Sequence, residues 1–84
     1  MFYAYILRSQ RSANVFYHGF TSDLRRRLEA HNAGANVSTR AMRPWSVAWY
    51  GTFESVQMAR DFECYLKTAS GKAFARKRLL QMLE

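Results

Sequence analysis

The chain opens with a run of aromatic and branched residues, Phe2 to Leu7, passes through a polar stretch from Arg8 to Asn14, and returns to the same apolar character from Val15 to Phe20. Two such runs around a polar connection predict a β-hairpin. Alternation places Tyr3, Tyr5 and Leu7 on one face and Phe2, Ala4 and Ile6 on the other. Neither face is polar, so both should be covered. Thr21-Ser22-Asp23 supplies an N-cap, and Leu24, Leu28 and His31 then share one helical face until Gly34, predicting a helix over about 22–32. Residues 33–44 have no period and end in the only proline, Pro44, so they read as an exposed loop carrying Arg40 and Arg43.

From Trp45 to Phe53, Trp45, Val47, Trp49, Gly51 and Phe53 alternate with Ser46, Ala48, Tyr50 and Thr52, the pattern of a third strand. Ser55 caps a helix in which Val56, Ala59, Phe62, Glu63 and Leu66 form one stripe as far as about Lys67. Ser70-Gly71 predicts a break, followed by a basic helix from about Lys72 to Leu83 with Ala75, Leu79, Met82 and Leu83 as its apolar side. The predicted class is α+β, a small three-stranded, largely antiparallel sheet flanked by helices in the order β-β-α-β-α-α.

Length and composition narrow the function. With 84 residues the chain makes one small domain, and its 49% hydrophobic content is enough to fold it. No run approaches the roughly 20 apolar residues that span a bilayer, so no membrane is expected and the expected location is cytoplasmic. One cysteine, Cys64, and two histidines 13 positions apart exclude an internal disulfide and a zinc site built on Cys and His spacing. The net charge is +7 and ten of the thirteen basic residues are arginine, whose planar fork holds phosphate with two hydrogen bonds. A polyanion partner is expected, and the composition leans towards phosphate recognition.

At 100° per residue, Arg27 falls beside Leu24, Leu28 and His31 on the inward side of its helix, while Arg25 and Arg26 point outwards. Glu63 sits inside an apolar stripe, where an ionised carboxylate needs a cation or hydrogen bonds. Arg27 and Glu63 are therefore expected to meet over the sheet, either as a structural ion pair or as part of a site.

Tyr3-Ala4-Tyr5-Ile6-Leu7, Tyr17-His18-Gly19-Phe20-Thr21, Asp23 to Leu28, His31-Asn32 and the later Glu63 together resemble the GIY-YIG endonuclease domain over nearly the whole chain. Thr39-Arg40, Pro44-Trp45 and Tyr65-Leu66-Lys67 resemble in particular its small stand-alone bacterial members. Two positions depart from the family name: Tyr3-Ala4 stands for glycine-isoleucine, and His18 replaces the isoleucine of the second motif. The resemblance implies a metal-dependent endonuclease acting on a nucleic acid, DNA above RNA, with a protein partner or an oligomer left open. It assigns Tyr5 and Tyr17 as the motif tyrosines, with Tyr17 as general base and Tyr5 its hydrogen-bonding partner. Arg27 would hold the scissile phosphate, and His31 would orient water or a tyrosine. Glu63 would be the single carboxylate for Mg²⁺ or Mn²⁺. Arg25, Arg26, Arg40, Arg43, Lys67, Lys72 and Lys77 are the expected nucleic-acid contacts, made to phosphate without reading bases. The alternative is a catalytically weak or inactive nucleic-acid-binding module of the same fold.

Overall fold

The computed structural model describes residues 1–80. β1 (Phe2–Ser9) is the middle strand of an antiparallel sheet, with β2 (Phe16–Thr21) on one side and β3 (Trp45–Phe53) on the other. A register shift between Ile6 and Leu7 interrupts the β1–β3 ladder. The helices are α1 (Leu24–Asn32), α2 (Val37–Arg40), α3 (Val56–Leu66) and α4 (Ala69–Phe74), and a π-helical turn over Ala75–Leu79 continues α4. The predicted class and order therefore hold, with one short helix added inside the segment read as a loop.

Both sheet faces are covered, as the apolar alternation of β1 requires. On one face Tyr5, Leu7 and Trp45 pack with Val15, Tyr17, Val47 and the α1 residues Leu24 and Leu28. On the other, Ile6, Leu66 and Ala75 pack with Phe16, Trp49, Phe62 and Leu79. α1 and α3 thus lie on opposite faces, and β2 is an edge strand between them.

Local chemistry sets the boundaries. The Asp23 carboxylate accepts from the Arg26 N–H, the Asn36 side chain from Ser38 N–H, and the Ser55 hydroxyl from Met58 N–H, so each helix has a capped start. Asn36 explains why 33–44 is not wholly irregular: its cap closes a single turn too short to show a hydrophobic period. The break expected at Ser70-Gly71 is absent. Thr68 caps α4, whose third residue is Gly71, and a Cβ there would lie 1.8 Å from the Tyr65 carbonyl oxygen. Glycine serves close approach of α4 to the end of α3, not a turn. The final helix accordingly starts at Ala69, before the predicted Lys72; Met82 and Leu83, expected on its apolar side, lie outside the described residues.

Candidate active site

The site forms where Tyr5 crosses the edge strand. Tyr5 pairs with Gly19 across the β1–β2 ladder, and a Cβ on Gly19 would stand 2.4 Å from the Tyr5 hydroxyl. Only a glycine lets the phenol lie flat over β2 and carry its oxygen to the edge. Tyr17 shares that face two residues earlier, with its ring centroid 4.9 Å from the imidazole of His31 and 6.5 Å from the indole of Trp45. His31, at the end of α1, places Nε2 3.3 Å from the Tyr5 hydroxyl and Nδ1 2.8 Å from the hydroxyl of Thr39. Tyr5, His31 and Thr39 are all buried.

Arg27 belongs to the same cluster, but from outside. The inward position expected from the helical angle is corrected here: Arg27 is exposed, because Leu24, Leu28 and His31 already fill the contact between α1 and the sheet. Its long side chain still brings the guanidinium beside the Tyr5 phenol, and it lines a surface recess with Ala30, His31, Asn36 and Val37. Burial pushes the Tyr5 hydroxyl up to about 12, against the pull of the Arg27 charge, with Tyr17 and Glu63 adding to the rise. Burial and then the Arg27 charge hold His31 below the ordinary imidazole value, so at neutral pH it is uncharged.

Glu63 comes to the edge from the opposite face, on α3. The expected Arg27–Glu63 ion pair does not form: Oε1 of Glu63 is paired instead with the ammonium of Lys67, one helical turn on. The two helices lie on opposite faces of the sheet, whereas i and i+4 neighbours on α3 meet without crossing it. Glu63 is 4% exposed, yet it is not sealed in the core, because the Lys67 side chain that holds it is 57% exposed. Its second oxygen accepts from the Cys64 thiol at 3.6 Å. The Glu63 hydrogen bond raises the Lys67 ammonium, and Tyr17 acts in the same direction, so the carboxylate, ammonium and both phenols share one electrostatic neighbourhood at β2.

Glu63 is the carboxylate against which the expected divalent cation can be tested. Among the described residues no three His, Cys, Asp or Glu side chains converge, so a metal here would rest on one carboxylate oxygen with water and substrate oxygens completing its shell. Mg²⁺ holds its water tightly and is commonly bound that way. The ammonium on Oε1 stands where a positive charge is already stabilised, and its solvated stem lets it withdraw. Glu63 is thus the residue that would hold the ion.

The expected nucleic-acid contacts divide by face. Arg25 and Arg26 are exposed on α1. Arg40 and Arg43 border the same side but are partly committed to the fold: Arg40 Nε donates to the Gly34 carbonyl at 2.9 Å, and the Arg43 guanidinium packs against Gly34. On the α3 side Lys67 and Lys72 line a groove of about 540 Å³ with Asn14, Phe16, His18 and Arg76, and Lys77 is exposed nearby. Burial, and then Lys67, depress the His18 imidazole, which faces this groove and not the Tyr17 side. Sequence reasoning overlooked Arg76, and it gave no role to Thr39, Asn32 or Asn36. Asn32 donates to the Trp45 carbonyl at 3.0 Å and accepts from the Trp45 N–H, tying the end of α1 to the start of β3. The Asn36-to-Thr39 spacing, one turn of a capped helix, was the available signal.

With this geometry in place, comparison with known proteins is informative. The sequence profile of the GIY-YIG catalytic domain matches residues 1–78. The UPF0213 protein SpyM50708 of Streptococcus pyogenes serotype M5 (strain Manfredo) is 36% identical over 66 residues, 77% of this chain and 70% of that protein. The UPF0213 protein SpyM3_1077 of serotype M3 is 39% identical over 54 residues, 63% of this chain and 59% of its own length. The chain belongs to the GIY-YIG family, a nuclease family.

Proposed function

We propose that the protein is an endonuclease that hydrolyses phosphodiester bonds of DNA with weak sequence specificity, dependent on Mg²⁺ or Mn²⁺ at Glu63. The observation that carries this reading is the cluster of Tyr5, Tyr17 and His31 on one face of the sheet with Arg27 beside it, and a nearly buried lone carboxylate, Glu63, on the other face. A binding surface alone has no use for a carboxylate held at the sheet edge among cations, since it repels phosphate.

The two tyrosines take different parts. A phenol pushed up to about 12 is ionised in only about one molecule in 10⁵ at neutral pH, so Tyr5 stays protonated and serves as a hydrogen-bonding group. The base is Tyr17, directly or through a water. As the phenolate, its own proton released to solvent beforehand, it accepts a proton from the attacking water as the new oxygen–phosphorus bond forms and the bond to the 3′ oxygen breaks; that oxygen leaves with a proton from solvent. Arg27, exposed beside Tyr5, holds the scissile phosphate and offsets the charge that builds on its oxygens. Glu63 would hold the cation, which would supply positive charge to offset the negative charge of the transition state. Base-reading elements are few in so small a domain, which supports weak sequence preference.

One observation favours the binding-module reading: the Glu63 charge is already paired with Lys67. A gel assay on labelled duplex, branched and single-stranded DNA and RNA, with and without Mg²⁺ or Mn²⁺, separates the two. Glu63→Gln should lower cleavage by orders of magnitude with binding retained. Thermal stability should change by less than about 1 kcal/mol, because the partner left behind, Lys67, is solvated. Cleavage unaltered in a folded Glu63→Gln protein removes the metal role, and a wild type that binds every substrate but cuts none is the binding module.

A further inference from the structure

Thr39 lies on α2, outside the family motifs' tyrosines, yet it is only 1% exposed and its hydroxyl touches His31. Its position is fixed from several sides. Its backbone N–H donates to the Asn36 carbonyl at 3.2 Å, and its carbonyl accepts from the Trp45 indole N–H at 3.0 Å. Its hydroxyl donates to the Asn36 carbonyl at 3.4 Å.

A hydroxyl has one proton to give. With that proton directed to Asn36, the Thr39 oxygen accepts from His31, so Nδ1 carries the imidazole hydrogen at 2.8 Å. A neutral imidazole has a single N–H, which leaves Nε2 bare. Its neighbour at 3.3 Å is the Tyr5 hydroxyl, which must therefore be the donor. The other end of the chain agrees. The Arg27 charge beside Tyr5 favours the same direction, since a guanidinium attracts the phenol lone pairs and repels its proton.

We propose that Thr39 is a positioning residue of this site: by accepting the Nδ1–H of His31 it fixes the tautomer that makes Tyr5 donate inwards and keep its oxygen lone pairs for Arg27 and the open edge of β2. With the opposite tautomer, Nε2–H donates to the phenol and takes up an oxygen lone pair, and the phenol proton turns outwards towards Arg27, where it meets another donor. The guanidinium then loses its anchor on the phosphate-holding side. The effect on turnover rests on the nuclease reading; the tautomer does not.

The experiment is nitrogen-15 NMR of histidine-labelled protein at neutral pH, paired with cleavage kinetics. Wild type should show His31 neutral with Nδ1 protonated and Nε2 bare, Thr39→Ser should keep that pattern, and Thr39→Val should shift it towards the other tautomer or a mixture. Thr39→Val should also lower kcat roughly tenfold or more with KM little changed, and Thr39→Ser should restore it. An Nε2–H tautomer in wild type overturns the proposal whatever the kinetics, as does a folded Thr39→Val protein with the wild-type pattern. Should Thr39→Val not fold, the wild-type and Thr39→Ser spectra decide. Absence of cleavage by wild type overturns the nuclease reading, while the spectra still decide the role of Thr39.

Discussion

At the scale of single residues, the candidate site depends on one missing side chain as much as on those present. Tyr5 reaches the sheet edge because Gly19 has no Cβ; the nearest phenol atoms would stand 2.4 and 2.5 Å from one. The phenol is buried and held at His31, so it cannot swing aside cheaply. Gly19→Ala should therefore cost about 1–3 kcal/mol of stability and lower cleavage further than the loss of fold explains. Thermal unfolding and single-turnover cleavage measure the two parts; a fully stable, fully active variant means that the ring does not lie over Gly19. Burial also gives the protein a pH profile. Above pH 10 an unfolded chain releases the Tyr5 proton while the folded chain keeps it, so stability present below 10 is lost as pH rises towards about 12, by ~3 kcal/mol. On the acid side His31 and His18 are depressed below 6.5, so stability falls as pH drops below that value, where unfolded imidazoles take up protons more readily. Tyr5→Phe should flatten the alkaline limb in melts across pH, and an unchanged limb removes Tyr5 as its source.

At the scale of elements, what the sequence displays depends on whether an element is held by its own periodicity or by its neighbours. The hairpin, α1, β3 and α3 bury whole stripes, and their apolar spacing is visible without any structure. α2 is one turn held by Asn36 and buried only through Thr39, so it leaves no period to read. Gly71 was misread because glycine marks a turn and a close helix contact equally well; only the Tyr65 carbonyl beside it distinguishes them. The candidate site residues stand out through their resemblance to the family motifs, and the structure brings Tyr5, Tyr17 and His31 together. How Arg27 and Glu63 stand to each other was not, since a helical wheel gives direction within one helix and says nothing about which sheet face that helix covers. α3 supplies both partners of the observed pair, with a consequence for metal binding: Lys67 competes for Oε1 of Glu63. Lys67→Ala should strengthen Mg²⁺ or Mn²⁺ binding by about 0.5–1 kcal/mol, a few-fold, while weakening DNA binding. Calorimetric titration of the ion without DNA measures the first effect. Unchanged or weaker ion binding argues that the metal is not at Glu63.

At the scale of the whole molecule, six of the thirteen basic residues stand on two opposite flanks of the sheet. Arg25, Arg26 and Arg27 lie on the α1 side, Lys67, Lys72 and Arg76 on the α3–α4 side, and β2 with Tyr17 runs between them. A nucleic acid with its phosphate at Tyr17 meets cations on both flanks, so each flank holds register and neither has to read bases. The described chain measures 33 Å in its longest dimension, close to the roughly 34 Å turn of B-form DNA. One protein can therefore engage no more than about one turn, roughly 10 base pairs. Affinity for duplexes, measured by fluorescence anisotropy without divalent metal, should rise with length up to about 10–12 base pairs and then grow only by the number of overlapping sites. If five or six phosphates are neutralised, the slope of log affinity against log salt should be about −4.5 to −5.5. Replacing Arg25 and Arg26, or Lys72 and Arg76, by alanine should each reduce that slope by about 2, because the flanks act independently. A slope near zero, or one that only a single flank affects, removes the two-flank arrangement and leaves the nucleic acid lying on one face of the sheet.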